Sequence, residues 1–505
     1  MFSGVSGHIA PLDRSKLPAY LPAACSPPQL NPWDVYAELK EINPSKAAGP
    51  DGWKPQLIRE FGYEFSVPLT DILNSSYASG VVPSQWKEAI IVPIPKTSPP
   101  NVEKLRPVSL TPIFSKIAEG FICDWILEDI EEFIDVRQFG NVSGVSTSHY
   151  LVNLMHYLYQ GVEKLEHIGT VVLTDFSKAF DLIDHTVLIE RMIDMGVRRT
   201  IVPWVSDFLH NRQQCVRFSE TLSDFVTVKG GVPQGTKLGP LCFQIIINSA
   251  AKDAKSKCWK YVDDMTFGEI RHRQRKGTIQ NDLDDFTHWS KNNSLKLNPS
   301  KCQALLVNFG KVKPQHADLR IGNELLPFVD KAKVLGVWVQ NDLKWDAQVI
   351  NMLIRANKRL FMLRTLKKFG FSQEELEIVF KSYLRPILEY AAVVWHSSIT
   401  SKQCYDIERI QKRACRIILG HKYNSYDGAI SSCNLDNLAD RRENLCLKFA
   451  QGLSSNVRTS HLIPPTRKEC HGRNLRNSSA ISQLRTRTAR FENSPVPFFI
   501  NLLNK

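Results

Sequence analysis

The chain has 505 residues, 43% of them hydrophobic and 23% charged, which excludes a disordered tail or a fibre and leaves room for two to four compact units. Lys and Arg (64) exceed Asp and Glu (51) by 13, and residues 351–505 hold 26 of the basic and 12 of the acidic residues, leaving 38 and 39 for residues 1–350. A basic C-terminal third is either a solvated surface or the seat of a polyanionic partner. The eleven cysteines form no Cys-x-x-Cys pair, and the Cys470-His471 pair has no neighbours to complete a zinc quartet. Free, mostly buried thiols in a reducing compartment are expected. No signal peptide is visible at the N-terminus, and the apolar stretch 238–250 is too short to span a bilayer. The expectation is an intracellular protein of nucleus or cytoplasm, neither secreted nor membrane-bound.

In chain order, residues 1–32 are a Pro-rich lead-in, and short helical patterns follow at 33–43 and 55–79. The prolines between Val92 and Pro107 predict loop and edge strand. Helix resumes over 112–160, interrupted near Gly140–Gly144, and the apolar, β-branched run 169–176 predicts a buried strand. A helix over 184–211, a hairpin over 214–230, a helix from 238 and a hairpin about Val262–Asp264 complete an interleaved α+β pattern. Beyond 346 the chain is helical. Val349, Leu353, Ala356, Leu360 and Leu363 mark one apolar face, Ser372 with Glu375 a capping box, and Pro386 a kink. Ile407, Ile410, Ala414 and Ile417 predict a helix closed by Gly420, whose other side carries Arg409, Lys412, Arg413 and Arg416. That strip is a solvated face or a phosphate-contact surface. Residues 451–505, with nine basic and two acidic residues and weak periodicity, read as a basic appendage.

The chemistry concentrates in Tyr261-Val262-Asp263-Asp264. Adjacent side chains of a strand face opposite ways, so two neighbouring Asp act together only at a tight turn, and a hairpin tip supplies one. Alone, such a pair is a solvated turn or a site for a hard cation such as Mg²⁺. Asp175 ends the apolar strand Val171-Val172-Leu173, at what would be the rim of a sheet. If that rim lies beside the hairpin, three carboxylates could hold two Mg²⁺ about 4 Å apart for in-line phosphoryl transfer. Asp181, Asp184 and His185 just downstream read as structural, with helix capping one role. Between these elements, Gly230 to Pro240 forces a turn into an apolar helix. There Gly235 permits close approach of a nucleotide or a backbone, and Gln234 offers both donor and acceptor.

The order Asp175-(x)4-Phe180-Asp181, Pro233-Gln234-Gly235, Tyr261-Val262-Asp263-Asp264 and Leu295-Lys296-Leu297-Asn298-Pro299-Ser300-Lys301 resembles the successive motifs of reverse transcriptases. More narrowly, the chain is similar to the polymerase of non-LTR (LINE-type, jockey-like) retrotransposons. Lys46–Gly52, Trp86–Ala89, Pro93–Lys96, Leu105–Leu110, Gln138–Gly140 and Leu335–Val337 also match, so the resemblance runs from about 33 to 420. It implies a right-hand polymerase: fingers and palm with an antiparallel sheet over 33–345, a helical thumb over 346–420 and a basic C-terminal extension over 421–505. It implies RNA-directed synthesis of DNA from dNTPs on an RNA template, with a DNA primer and two Mg²⁺ (or Mn²⁺).

On that resemblance, Asp175, Phe176, Asp263 and Asp264 would be the metal positions, and Phe180 the gate against a ribose 2′-hydroxyl. Arg106 and Lys96 would face the triphosphate, and Gln234 and Gly235 would line nucleotide and template. Tyr261 and Val262 would meet the primer end, and Lys301 would protonate the leaving pyrophosphate. Arg409, Lys412, Arg413 and Arg416 would follow the template–primer duplex. Val262 departs from the family's usual small residue, and Lys237 stands where an apolar residue is commoner. Residues 1–32 leave no room for the family's upstream endonuclease, and no ribonuclease H unit is recognisable after the thumb, so a polymerase fragment is expected. Two other readings are a silent, co-opted remnant that binds RNA or DNA, and a two-metal nuclease, which would leave Phe180 and the Gln-Gly turn without a role.

Overall fold

A computed structural model describes residues 12–13, 26–97, 99–101, 105–310, 318–471 and 477–505, so most of the Pro-rich lead-in lies outside the described residues. The chain divides into two compact units: Met1–Asp135, Asp175–Asp253 and Asp284–Asn298 form the first, and Val136–Thr174, Ala254–Leu283 and Pro299–Lys505 the second. Among the described residues no helix is long and apolar enough to cross a membrane.

In the first unit, Asn31 caps the helix Pro32–Lys40 through a capping box with Asp34. The pattern over 55–79 resolves into two helices, Pro55–Glu60 and Gly62–Ser79, because Phe61 leaves helical geometry (φ −94°, ψ 30°). The sheet sets the strand Glu88–Pro95 between Leu105–Leu110, antiparallel, and Arg212–Phe218, parallel. The prolines predicted loop and edge strand from Val92 to Pro107. The structure agrees: strand runs through Pro95, a connection follows, and strand resumes at Leu105, with Pro93 opposite Pro107. Proline is tolerated there because the parallel partner is paired only over residues 88–91, which leaves one side of the strand open beyond Ile91. The helix predicted over 184–211 is likewise two, His185–Asp194 and Val202–Leu209. Gly196 at φ 84° ends the first, and Pro203 sits in the opening turn of the second. The helix Leu238–Asn248 buries Leu238, Leu241, Phe243, Ile245 and Ile246 and forms the apolar heart of this unit.

The second unit is built on a five-stranded sheet in the order Phe328–Val329, Gln303–Val307, His167–Thr174, Asp264–His272, Lys257–Tyr261. The central strand His167–Thr174 is buried on both faces, as its unbroken β-branched run requires. The helix Thr147–Gly161 covers the sheet with Tyr150, Leu151, Leu154, Met155 and Leu158. The long helix Asp346–Lys368 buries Val349, Met352, Ala356, Leu360 and Leu363. Ser372 and Glu375 form the expected capping box of Gln373–Val379. The interruption expected at Pro386 is spread upstream: a π-turn over Phe380–Leu384 precedes Arg385–Glu389, where Pro386 occupies the first turn and no ladder bond is lost to it.

Residues 421–505 depart furthest from the sequence reading. Rather than hanging as an appendage, the helices Tyr426–Ser432, Leu438–Leu453 and Pro495–Leu503 send Ala429, Ala450, Leu453, Val496, Phe499 and Ile500 into the same core as Leu154, Leu360 and Trp395. Burying an aliphatic or Phe side chain contributes about 1.5–3 kcal/mol, so these short helices are held by tertiary packing rather than by propensity.

Candidate active site

The second unit supplies the rim of its sheet. In the hairpin 257–272, Tyr261 pairs with Asp264, leaving Val262 and Asp263 at the tip. Val262 takes φ 56°, the left-handed region that a β-branched residue rarely enters. Asp263 is half-buried and Asp264 exposed. The register sets Thr174 opposite Met265 and Leu173 opposite Gln303. The central strand therefore ends at the edge where the strands from Asp264 and Gln303 begin. Asp175 is one peptide bond beyond Thr174, and Lys301, exposed in the turn Pro299–Lys301, lies two residues before Gln303. Tyr261 is half-buried and packs edge-on to Tyr150, ring centroids 6.3 Å apart. Burial, and then the neighbouring Tyr390, push its phenol up from the ordinary value.

The first unit supplies a seam between two loops. Asp175 accepts through its carbonyl from Asn298 N–H (2.8 Å), and Ser177 N–H donates to the Lys296 carbonyl (2.7 Å). Phe176 is buried between the rings of Phe243 and Phe286, at 6.2 and 5.8 Å. Lys178 at φ 51° turns the chain into Ala179–Leu182, where Phe180 lies against Phe243 at 5.3 Å yet stays partly accessible. Val232 N–H donates to the Phe180 carbonyl (2.8 Å) and Gly231 N–H to the Ile183 carbonyl (2.7 Å). His185 returns a bond from Nε2 to the Gly231 carbonyl at 2.7 Å, with the proton on Nε2 because a carbonyl only accepts. A Cβ on Gly231 would come within 2.7 Å of the Asp181 carbonyl, so only glycine fits.

Gln234 closes the seam. Its Nε2 donates to Asp181 Oδ1 at 3.1 Å, and its carbonyl accepts from Ser109 N–H at 2.7 Å. Burial raises the Asp181 carboxyl from its ordinary value, against the opposing effects of the Gln234 bond, Lys178 and Lys96. Gly235 takes φ 121° with the Ser109 carbonyl 2.9 Å from where its Cβ would be. The close approach expected at Gly235 is thus made by this chain's own backbone. Arg106, on the strand Leu105–Leu110 and paired in register with Ile94, and Lys96, just past the end of Glu88–Pro95, are exposed. Lys237 does not add an open charge, because its Nζ is ion-paired with Glu38 at 3.0 Å. Two contributors to this seam were not singled out by the sequence: Ser109, inside the matching stretch Leu105–Leu110 but given no role, and Arg212, in no motif. Arg212 is buried over the Phe208 ring, and with Ser109, Asp181, His185 and Gln234 it lines a cleft.

On the helix Ser401–Leu419, Ile407, Ile410 and Ala414 are buried, while Ile418 takes the place expected for Ile417. The basic strip lies on aromatic rings: Lys412 over Tyr426 (5.7 Å), Arg416 over Tyr423 (5.1 Å) and Arg409 over Tyr405 (6.0 Å). Arg409 also pairs with Asp406, and Arg413 bonds Asn357. Arg409 and Arg416 remain exposed.

Among the described residues no three His, Cys, Asp or Glu side chains are drawn into a ready-made metal cluster. Carboxylates brought to coordinating distance repel one another unless a cation neutralises them. Carboxylates such as those of Asp175, Asp263 and Asp264 offer hard oxygens, a type that suits Mg²⁺ or Mn²⁺ and not a soft metal.

Residues 94–339 match the family model described as reverse transcriptase (RNA-dependent DNA polymerase). The chain is 25% identical over 414 residues to a probable RNA-directed DNA polymerase from transposon BS of Drosophila melanogaster, covering 77% of this chain and 44% of that protein. It is 24% identical over 433 residues to the RNA-directed DNA polymerase from mobile element jockey of the same organism, covering 81% and 46%. The chain thus spans less than half the length of these relatives. Among solved structures, an apo telomerase from Candida tropicalis truncated from its C-terminal domain aligns with 56% of this chain and 60% of its own, at 13% identity and a TM-score of 0.35.

Proposed function

We propose that the protein is an RNA-directed DNA polymerase of non-LTR retrotransposon type, with a right-hand polymerase fold about the reverse transcriptase match at residues 94–339, extending a DNA 3′ end on an RNA template. One observation carries the reading. The paired strands His167–Thr174 and Asp264–His272 meet at Thr174 and Met265, so one peptide bond leads to Asp175 from the very edge at which Asp263 and Asp264 turn.

Asp175, Asp263 and Asp264, with the main chain of Phe176, would hold two divalent ions. Bound there, such ions supply activation of the primer 3′-hydroxyl and neutralisation of the leaving pyrophosphate. The remaining roles belong to side chains. Phe180, braced on Phe243, presents a rigid edge against a ribose 2′-hydroxyl. Gln234 spends its Nε2 on Asp181 and so offers Oε1, an acceptor, to the nucleotide. Arg106 and Lys96 balance triphosphate charge, Lys301 is placed to protonate pyrophosphate, and Tyr261 supports the primer terminus. Arg409, Lys412, Arg413 and Arg416 give the duplex a predominantly basic surface, with Asp406 the acid beside Arg409.

The second reading, a silent remnant that binds nucleic acid, draws on that basic strip alone. Extension of a DNA primer on RNA separates the two. Asp263→Asn is expected to lose more than about a thousandfold in rate, roughly 4 kcal/mol of barrier, while retaining duplex binding. A variant as active as the parent contradicts the metal assignment, and binding without extension by the parent favours the remnant.

A further inference from the structure

We propose that Arg458, in the C-terminal stretch, is a positioning residue that holds the Asp263–Asp264 hairpin in place through Gln138; its effect on catalysis rests on the polymerase reading above. The starting point is Val262. A β-branched residue at φ 56° persists only where its surroundings over-determine the turn. Gln138 provides that determination: its Oε1 accepts from Val262 N–H at 3.1 Å and from Gly140 N–H at 2.9 Å. Two N–H donors on one atom fix the amide orientation, since only the oxygen can accept. Its Nε2 is left buried with no hydrogen-bond partner among the described residues, a cost that the two hairpin bonds must offset. Gly140 is glycine for the same reason, because a Cβ there would meet Val262 N at 2.6 Å.

Gln138 is itself held on both sides. Its neighbours pair with the hairpin backbone, Phe139 N–H to the Lys260 carbonyl and Lys260 N–H to the Arg137 carbonyl, each at 2.9 Å. Its own carbonyl accepts from Arg458 Nε at 2.9 Å, a charge-assisted bond across 320 residues of sequence. Arg458 reaches the hairpin by a second route. Asn153 donates from Nδ2 to the Arg458 carbonyl (3.4 Å) and accepts at Oδ1 from Trp259 Nε1 (2.9 Å), on the hairpin's first strand. The loop bearing Arg458 is anchored by Thr459, fully buried, whose hydroxyl bonds the Leu453 carbonyl at the end of Leu438–Leu453. The C-terminal segment therefore clamps the turn from which two carboxylates project, and its removal would let that turn relax by a fraction of an ångström, enough to matter for chemistry.

The experiment compares the full chain with Arg458→Ala and Arg458→Lys, reading amide hydrogen exchange over residues 258–268 beside primer extension. Arg458→Ala is expected to speed exchange at the Val262 amide about tenfold and to lower kcat about tenfold, with KM for dNTP within about twofold. Arg458→Lys, which keeps a cationic donor, should recover most of both, and Arg458→Met, which keeps the stem but has no donor, serves as the working variant if the alanine chain does not fold. Unchanged exchange across the hairpin in Arg458→Ala, or in Arg458→Met where the alanine chain does not fold, overturns the proposal. So does a kcat loss that lysine does not rescue and that follows a drop in melting temperature. A parent chain that exchanges normally but extends no primer overturns the polymerase reading instead, and the exchange data still decide the clamp.

Discussion

The rim of the second unit's sheet and the loop seam of the first are built on different physical terms. At the rim, backbone register does the positioning: eight consecutive residue pairs between His167–Thr174 and Asp264–His272 fix where each strand ends. A one-residue slip would turn every side chain to the other face, so the core itself guards the register. At the seam no ladder exists. Two loops are joined by single bonds from Val232, Gly231, His185 and Gln234, and by glycines where a Cβ has no room. The rim should therefore tolerate side-chain changes that spare its carboxylates, whereas the seam should fail on changes that add a single carbon.

The sharpest way to break that contrast is Gly235→Val. With φ 121° and the Ser109 carbonyl 2.9 Å from the new Cβ, the loop must shift, and kcat/KM for nucleotide should fall about a hundredfold, roughly 3 kcal/mol. Steady-state extension with varied dNTP checks this, and a near-parental value would mean that the seam has slack. Acid tests the support behind the rim. Burial pushes His156 down to about 4, with His461 adding to the effect, and His396 is likewise lowered to about 4 by burial and then by Arg442. The unfolded chain takes up these protons below about 6.5 and the folded chain only near 4, so stability is lost as pH falls through that window. Each histidine should cost about 2 kcal/mol at pH 5 relative to pH 7. Denaturant titrations of the parent and of His156→Phe should show a flatter pH dependence in the variant.

The smallest effect is expected far from both regions. Removing the exposed Arg409 and Arg416 together should weaken duplex binding only a few-fold and reduce its salt slope by about one per lost phosphate contact. Binding isotherms at several salt concentrations give the slope, and an unchanged slope would return the strip to the class of solvated faces.

Much of this was legible from residue order. The buried strand, the hairpin about Val262, the capping box at Ser372 and the helix opening near Leu238 follow from local rules of period, turn and cap. The boundaries that failed did so for identifiable reasons. The helix expected over 184–211 hid a left-handed Gly196, and the pattern over 55–79 hid the break at Phe61. Gln138 and Arg458 were opaque in a different way. Gln138 lay within a motif without a stated role, and Arg458 lies in a stretch whose periodicity is weak because its helices are short and packed from several directions.

Residue types and their spacing determined the acidic positions, the glycines of the turn and the apolar runs, since each depends on interactions between near neighbours in the chain. Tertiary structure alone decided that Gln234 is oriented by Asp181, that Gly235 yields to Ser109 and that a C-terminal arginine grips the loop beneath Val262. Those contacts join residues tens to hundreds of positions apart, and hydrogen-bond geometry at about 3 Å leaves no trace in a linear pattern.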